Sequence, residues 1–134
     1  HAAPAKVWSI LTDFAAYPDW NPMVTELTGD PTVGNQIAVT LNNGGKDFKF
    51  TPQVLTKDPE KEFAWKGKLL FKGLFDGHHY FRLEAQPDVT TKFIHGENFS
   101  GILVGLLMKK LEEPTRQGFI AMNQALKARA EQQT

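Results

Sequence analysis

The sequence predicts an α+β domain in which a curved antiparallel β-sheet wraps around a long C-terminal α-helix, preceded by two short N-terminal helices. Helix-period stripes confined to the two ends of the chain are the first observation behind this reading. A central run of short alternating segments, punctuated by Gly, Pro, Asn and Asp, is the second. The third is length: 134 residues suit one domain, 1–134, large enough to bury roughly two-thirds of its unfolded surface.

Pro4 fits the first turn of a helix, where its missing N–H would lack a partner anyway. Val7, Trp8, Ile10, Leu11 and Phe14 follow as an apolar stripe, so a short helix is expected over roughly residues 4–12. The segment from Asp13 to Pro22 carries two prolines and three aromatics, which predicts one more helical turn and then an extended exit. The chain opens at His1 directly before a helix signal, so a first strand is expected to precede residue 1.

Strands are expected over 23–29, 36–42, 47–57, 62–70, 78–86 and 90–100. Their separators, such as Gly29-Asp30-Pro31, Asn42-Asn43-Gly44-Gly45 and Pro87-Asp88, are short and imply sequential antiparallel pairing. Pro52 cannot donate to a ladder, so the third strand should carry a bulge or an edge there. Over residues 102–131, Leu103, Leu107, Leu111, Phe119, Met122 and Leu126 form the stripe of a long amphipathic helix. Pro114 should bend it, because the carbonyl one turn back loses its donor. One helix, about 10 Å wide, does not fill a wide concave sheet. Room for a ligand should therefore remain between them.

Composition narrows the function classes. Lys plus Arg and Asp plus Glu are both 15, so the net charge is zero and no global field attracts nucleic acid. Cysteine is absent, which removes disulfides and thiolate chemistry and fits a cytoplasmic location. No apolar run approaches the about 20 residues that span a bilayer, so no integral membrane association is expected. Neither a phosphate-cradling glycine loop, a GxSxG elbow nor an HExxH helix occurs, and no cofactor is implied.

The chemistry concentrates in residues 77–99. Alternation sends His79, Phe81 and Leu83 to one face and His78, Tyr80 and Arg82 to the other. The same rule groups Phe93, His95, Glu97 and Phe99. The turn near Pro87 pairs positions whose numbers add to about 174–176, which sets His79 opposite His95 or Glu97. Such a trio in an aromatic wall can anchor a ligand's polar end, act as an acid/base pair, or simply satisfy itself in a core. The adjacent His78 and His79 face opposite ways, which spoils a chelating pair; His79, His95 and Glu97 could supply three zinc ligands, but nothing else marks a metal site.

Taken together, Val7-Trp8, Asp13-Phe14, Tyr17-Pro18, Trp20-Asn21-Pro22, Gly73-Leu74-Phe75-Asp76-Gly77 with His79 and Phe81, Glu97-Asn98-Phe99-Ser100-Gly101 and Met122-Asn123 with Leu126 resemble the SRPBCC superfamily. This is the START/Bet v 1-like helix-grip group, and the resemblance is to its bacterial polyketide cyclase/dehydrase-like members. It implies a helix-grip fold and a cavity for lipids, polyketides or other apolar molecules. Some members are aromatase/cyclases, so the resemblance implies binding more strongly than catalysis.

The expected function is binding of a small hydrophobic or amphipathic molecule between the sheet and the C-terminal helix. Phe50, Trp65, Phe81, Phe93, Phe99, Leu103, Phe119 and Met122 are the expected walls, with Trp20 beside them. His79, His95, Glu97 and Asn21 would orient the polar end. One alternative is an aromatase/cyclase or dehydratase using His79, His95 and Glu97 as acid and base. Another is a protein-interaction module docking through the apolar loop 69–75, where Phe71 and Phe75 would otherwise form a lip over the ligand. A monomer or weak homodimer is expected.

Overall fold

The computed structural model describes residues 2–43, 45–68, 76–100 and 104–132. The loop 69–75 with Phe71 and Phe75, and the expected wall residue Leu103, lie outside the described residues.

Pro4 opens α1 (Pro4–Leu11), which buries Val7 and Leu11. A single 3-10 turn at Phe14–Ala16 leads into α2 (Tyr17–Trp20). Tyr17 is fully buried, and its hydroxyl donates to the Leu11 carbonyl at the end of α1. Burial, reinforced by the Asp13 carboxylate, pushes its ionisation far above the ordinary phenol range, so it stays a neutral donor. The extended exit then forms as expected. Asn21 accepts at Oδ1 from the N–H groups of Met23 (3.0 Å) and Val24 (2.9 Å), a side-chain turn that launches the first strand.

Seven strands follow in antiparallel order: β1 (Val24–Thr28), β2 (Ala38–Asn43), β3 (Lys46–Phe50), β4 (Gln53–Asp58), β5 (Glu62–Lys68), β6 (Asp76–Ala85) and β7 (Thr91–Ser100). They form a three-stranded sheet β1-β2-β3 and a four-stranded sheet β4-β5-β6-β7. The division falls at Pro52. The expected third strand, 47–57, is two strands, because a residue without an N–H interrupts the ladder. What joins the sheets is local: the Pro52 carbonyl accepts from Ile37 (3.0 Å), Asn35 accepts from Val54 (2.9 Å), and Gln36 bridges Gln53.

The chain ends in α3 (Val104–Ala130), close to the expected bounds and continuous through Pro114. Met122, Leu126 and Ala130 recur every four residues on its buried face. They complete two adjoining apolar clusters. The larger contains Leu11, Tyr17, Phe63, Trp65, Phe81 and Met122, and the smaller Val7, Leu83, Leu126 and Ala130. Trp8, Trp20 and Phe93 pack against both.

The β6–β7 turn stores strain. Asp88 Oδ1 accepts from the Thr90 backbone (3.3 Å) and hydroxyl (2.5 Å), which leaves Val89 at φ 62° with its side chain exposed. The left-handed region is costly for a β-branched residue. Val89→Gly is therefore expected to raise the free energy of unfolding by about 1 kcal/mol, read from urea denaturation; an unchanged or lower midpoint would contradict this.

Candidate functional site

Strands β6 and β7 lie side by side over ten residue pairs, with His79 opposite Glu97 and Phe81 opposite His95. Of the two registers open in the sequence, the one joining His79 to Glu97 is adopted. Alternation then places His79, Phe81 and Leu83 in the interior, as expected, and Tyr80 and Arg82 on the outer face. There Arg82 stacks 4.2 Å from the Tyr80 ring centre and pairs with Glu62.

On the inner face a continuous polar chain runs across two strands and up to the helix. Glu97 Oε1 lies 3.2 Å from His79 Nδ1. His79 Nε2 lies 2.6 Å from His95 Nε2. His95 Nδ1 lies 2.8 Å from Asn123 Oδ1 on α3. Every ring nitrogen of both histidines thus has a partner, as burial demands. His79 is 1% exposed, whereas the Glu97 side chain keeps 17%.

Aromatic rings enclose the chain. Trp65 stacks on His79 with centroids 4.9 Å apart, and Phe119 lies nearly parallel to His95 at 3.9 Å. Phe81 packs against both imidazoles, 4.8 Å from His79 and 4.7 Å from His95, and Phe93 flanks His95 at 6.0 Å. In these surroundings the His95 imidazole is held well below the ordinary histidine range. Burial is the main cause and the neighbouring His79 charge the second, with the Asn123 contact opposing both.

The expected site residues divide by position. His79, Trp65, Phe81, Phe93, His95, Glu97, Phe119 and Met122 gather beneath α3. Of these, Trp65, Phe81 and Met122 are wholly core, while Phe93 and Phe119 are partly buried against it. Phe50 packs edge-on to Trp65 at 6.5 Å, and Phe99 lies partly buried further along the inner face of β7. Trp20 and Asn21 stand apart at the α2–β1 junction, where Trp20 packs on Tyr17 and Asn21 holds the turn.

Two contributors were not foreseen. Asn123 lies one helical turn beyond Phe119, a polar residue within an apolar stripe, and that interruption was its signal. Gly77 makes room for Glu97: a Cβ there would lie 2.1 Å from Glu97 Oε2. An open volume of about 260 Å³ adjoins Asn123, between α1, the start of β7 and the end of α3. Val7, Phe93, Leu126 and Ala130 line it, together with the paired Lys127 and Glu131.

Two nitrogens bound to one tetrahedral zinc stand about 3.3 Å apart, so the 2.6 Å separation of the imidazoles describes a hydrogen bond. Among the described residues no group of three or more His, Asp or Glu side chains is placed to hold a metal.

Curved antiparallel sheets packed on one long helix, with a polar chain between the β6–β7 hairpin and that helix, define a helix-grip protein. The chain belongs to the polyketide cyclase / dehydrase and lipid transport family, whose model matches residues 1–131. It is similar in fold to the Zhui aromatase/cyclase from a Streptomyces species (TM-score 0.74, 17% identity, covering 97% of this chain and 87% of that one). A START superfamily protein from Mycobacterium smegmatis aligns with TM-score 0.68 and 20% identity over 99% and 92% of the two chains. A hypothetical protein from Helicobacter pylori aligns with TM-score 0.76 and 16% identity over 97% and 82%. No curated protein sequence matches the chain significantly.

The depressed His95 pKa has a consequence for stability. Below the ordinary histidine value of about 6.5 the unfolded chain binds a proton that the folded chain refuses. Stability is therefore present above that value and is lost as pH falls below it. Urea midpoints measured from pH 6.5 down to 5 should decline over this window in the wild type and less steeply in His95→Gln; parallel profiles would remove His95 as the cause.

Proposed function

We propose that the domain binds a small hydrophobic or amphipathic molecule between its sheet and α3, with the Glu97–His79–His95–Asn123 chain at the ligand's polar end. One observation carries this reading: a polar chain sits in an aromatic interior, and one carboxylate at its end keeps contact with the outside. A chain serving packing alone would have no need of that opening. Phe50, Phe93, Phe99 and Phe119, partly buried in the structure, supply apolar surface for the ligand body. Each such side chain contributes roughly 1.5–3 kcal/mol when covered, which supports micromolar affinity from a few contacts.

Family membership supports the same reading, as does the likeness to proteins described as aromatase/cyclase and START superfamily. Among the described residues no helix is long and apolar enough to cross a membrane. The reading takes the chain as one domain, acting in the cytoplasm as a monomer or weak homodimer.

The direct imidazole pair favours a second reading, an aromatase/cyclase- or dehydratase-type enzyme. Glu97 would orient His79, and the pair would move a proton at the ligand.

Protein purified from its own host should carry a small apolar molecule detectable by native mass spectrometry. Phe50→Ala should weaken its rebinding by about tenfold. A chain that arrives empty and binds no member of an apolar series refutes the binding reading. If the domain is catalytic, His79→Ala and Glu97→Gln should lower turnover by about 100-fold with binding largely kept; loss of binding alone retires catalysis.

A further inference from the structure

We propose that His79 and His95 share one proton between their facing Nε2 atoms, and that Glu97 then selects a ligand bearing a hydroxyl, phenol or enol over one bearing a carboxylate. The inference rests on the ligand-binding reading above and names the chemical group that the polar end of the site recognises.

Counting protons carries it. An ionised carboxylate and an amide oxygen can only accept hydrogen bonds. Glu97 Oε1 therefore takes a hydrogen from His79 Nδ1, and Asn123 Oδ1 takes one from His95 Nδ1. The two Nε2 atoms then meet at 2.6 Å. Two lone pairs repel at that distance, and two hydrogens do not fit. One hydrogen lies between them. Three hydrogens on two imidazoles make one positive charge, which the Glu97 carboxylate balances, so the buried set is neutral as a whole.

The position of that charge follows from the surroundings. The Glu97 carboxylate lies against His79, while His95 Nδ1 meets only the neutral Asn123 amide, so the covalent N–H belongs to His79. Trp65 of β5, Phe81 of β6 and Phe93 of β7 face the pair, with Phe119 and Asn123 of α3, and none of these ionises in the working range. Among the described residues, Glu97 is the carboxylate bonded to the imidazoles. On α3, Lys127 and Glu131 pair with each other at 3.3 Å.

The second oxygen of Glu97 gives the site its preference. Oε2 occupies the space that a side chain at Gly77 would fill, and no protein group among the described residues donates to it. A hydroxyl brought there donates to an anionic oxygen, which is a charge-assisted bond. A carboxylate brought there meets like charge, because the cation of the set is already engaged with Glu97.

Two measurements on the full chain test this. Long-range proton–nitrogen correlation spectra of isotope-labelled histidines should show both Nδ1 atoms protonated and one proton shared by the two Nε2 atoms. A bare Nδ1 on His95, with the Asn123 amide donating to it, makes the chain neutral without the shared charge and overturns the proposal. In the second, 2-naphthol and 2-naphthoate serve as probes with one apolar body and two head groups. Naphthol should bind at least about tenfold more tightly. Glu97→Gln should erase that preference, and Gly77→Ala, which displaces the carboxylate without altering its charge, should reduce it. Equal affinities, or a preference for naphthoate, overturn the selection while leaving the cavity reading intact. Failure of both probes to bind overturns the cavity reading and the selection together.

Discussion

Burying two imidazoles side by side beneath a helix obliges the fold to supply a partner for each of four ring nitrogens. Unmade, each of those hydrogen bonds would cost about 1–3 kcal/mol. The β6–β7 register, the glycine at 77 and the amide on α3 all answer that demand. A register one residue away would turn every inward side chain of β7 outward, and the carboxylate with them. The polar chain therefore ties the pairing of the hairpin to the seating of the helix.

Apolar contacts pull in the same direction. Phe119 lies flat on His95, and Asn123, one turn further along, meets the opposite end of the polar chain. The same imidazole thus receives a face contact and an edge contact from a single helix. Met122, between them in sequence, fills the core beside Trp65 and Phe81. Sliding α3 along its axis would break polar and apolar partners at once, so its height over the sheet is closely determined.

Much of this architecture was legible in the residues. Period alone assigns the long helix, and alternation alone puts His79, Phe81 and Leu83 inside. Pro52 announces an interruption, but spacing does not say whether the ladder merely bulges or divides; the structure divides it because partners on both sides regroup around the missing donor. The site was half legible. Its strand residues follow from the turn at Pro87 to within a two-residue shift that keeps the same face inward. Asn123 showed only as a polar break in the apolar stripe; which strand it meets depends on helix height and rotation, and neither leaves a mark in spacing. Gly77 was hidden for a related reason: a glycine's use as vacant space appears only when its neighbour's side chain is located.

The division at Pro52 also bears on how the domain adapts its interior. With ladder pairing interrupted there, the two sheets behave as leaves joined along a seam of a few backbone hydrogen bonds. Phe50 ends one leaf and reaches across the seam, its ring lying over Gly67 and edge-on to Trp65 of the other. The dihedral between the leaves therefore sets the distance between those two rings. Substitutions along the seam thus bear on how Phe50 meets Trp65 while both rings stay the same.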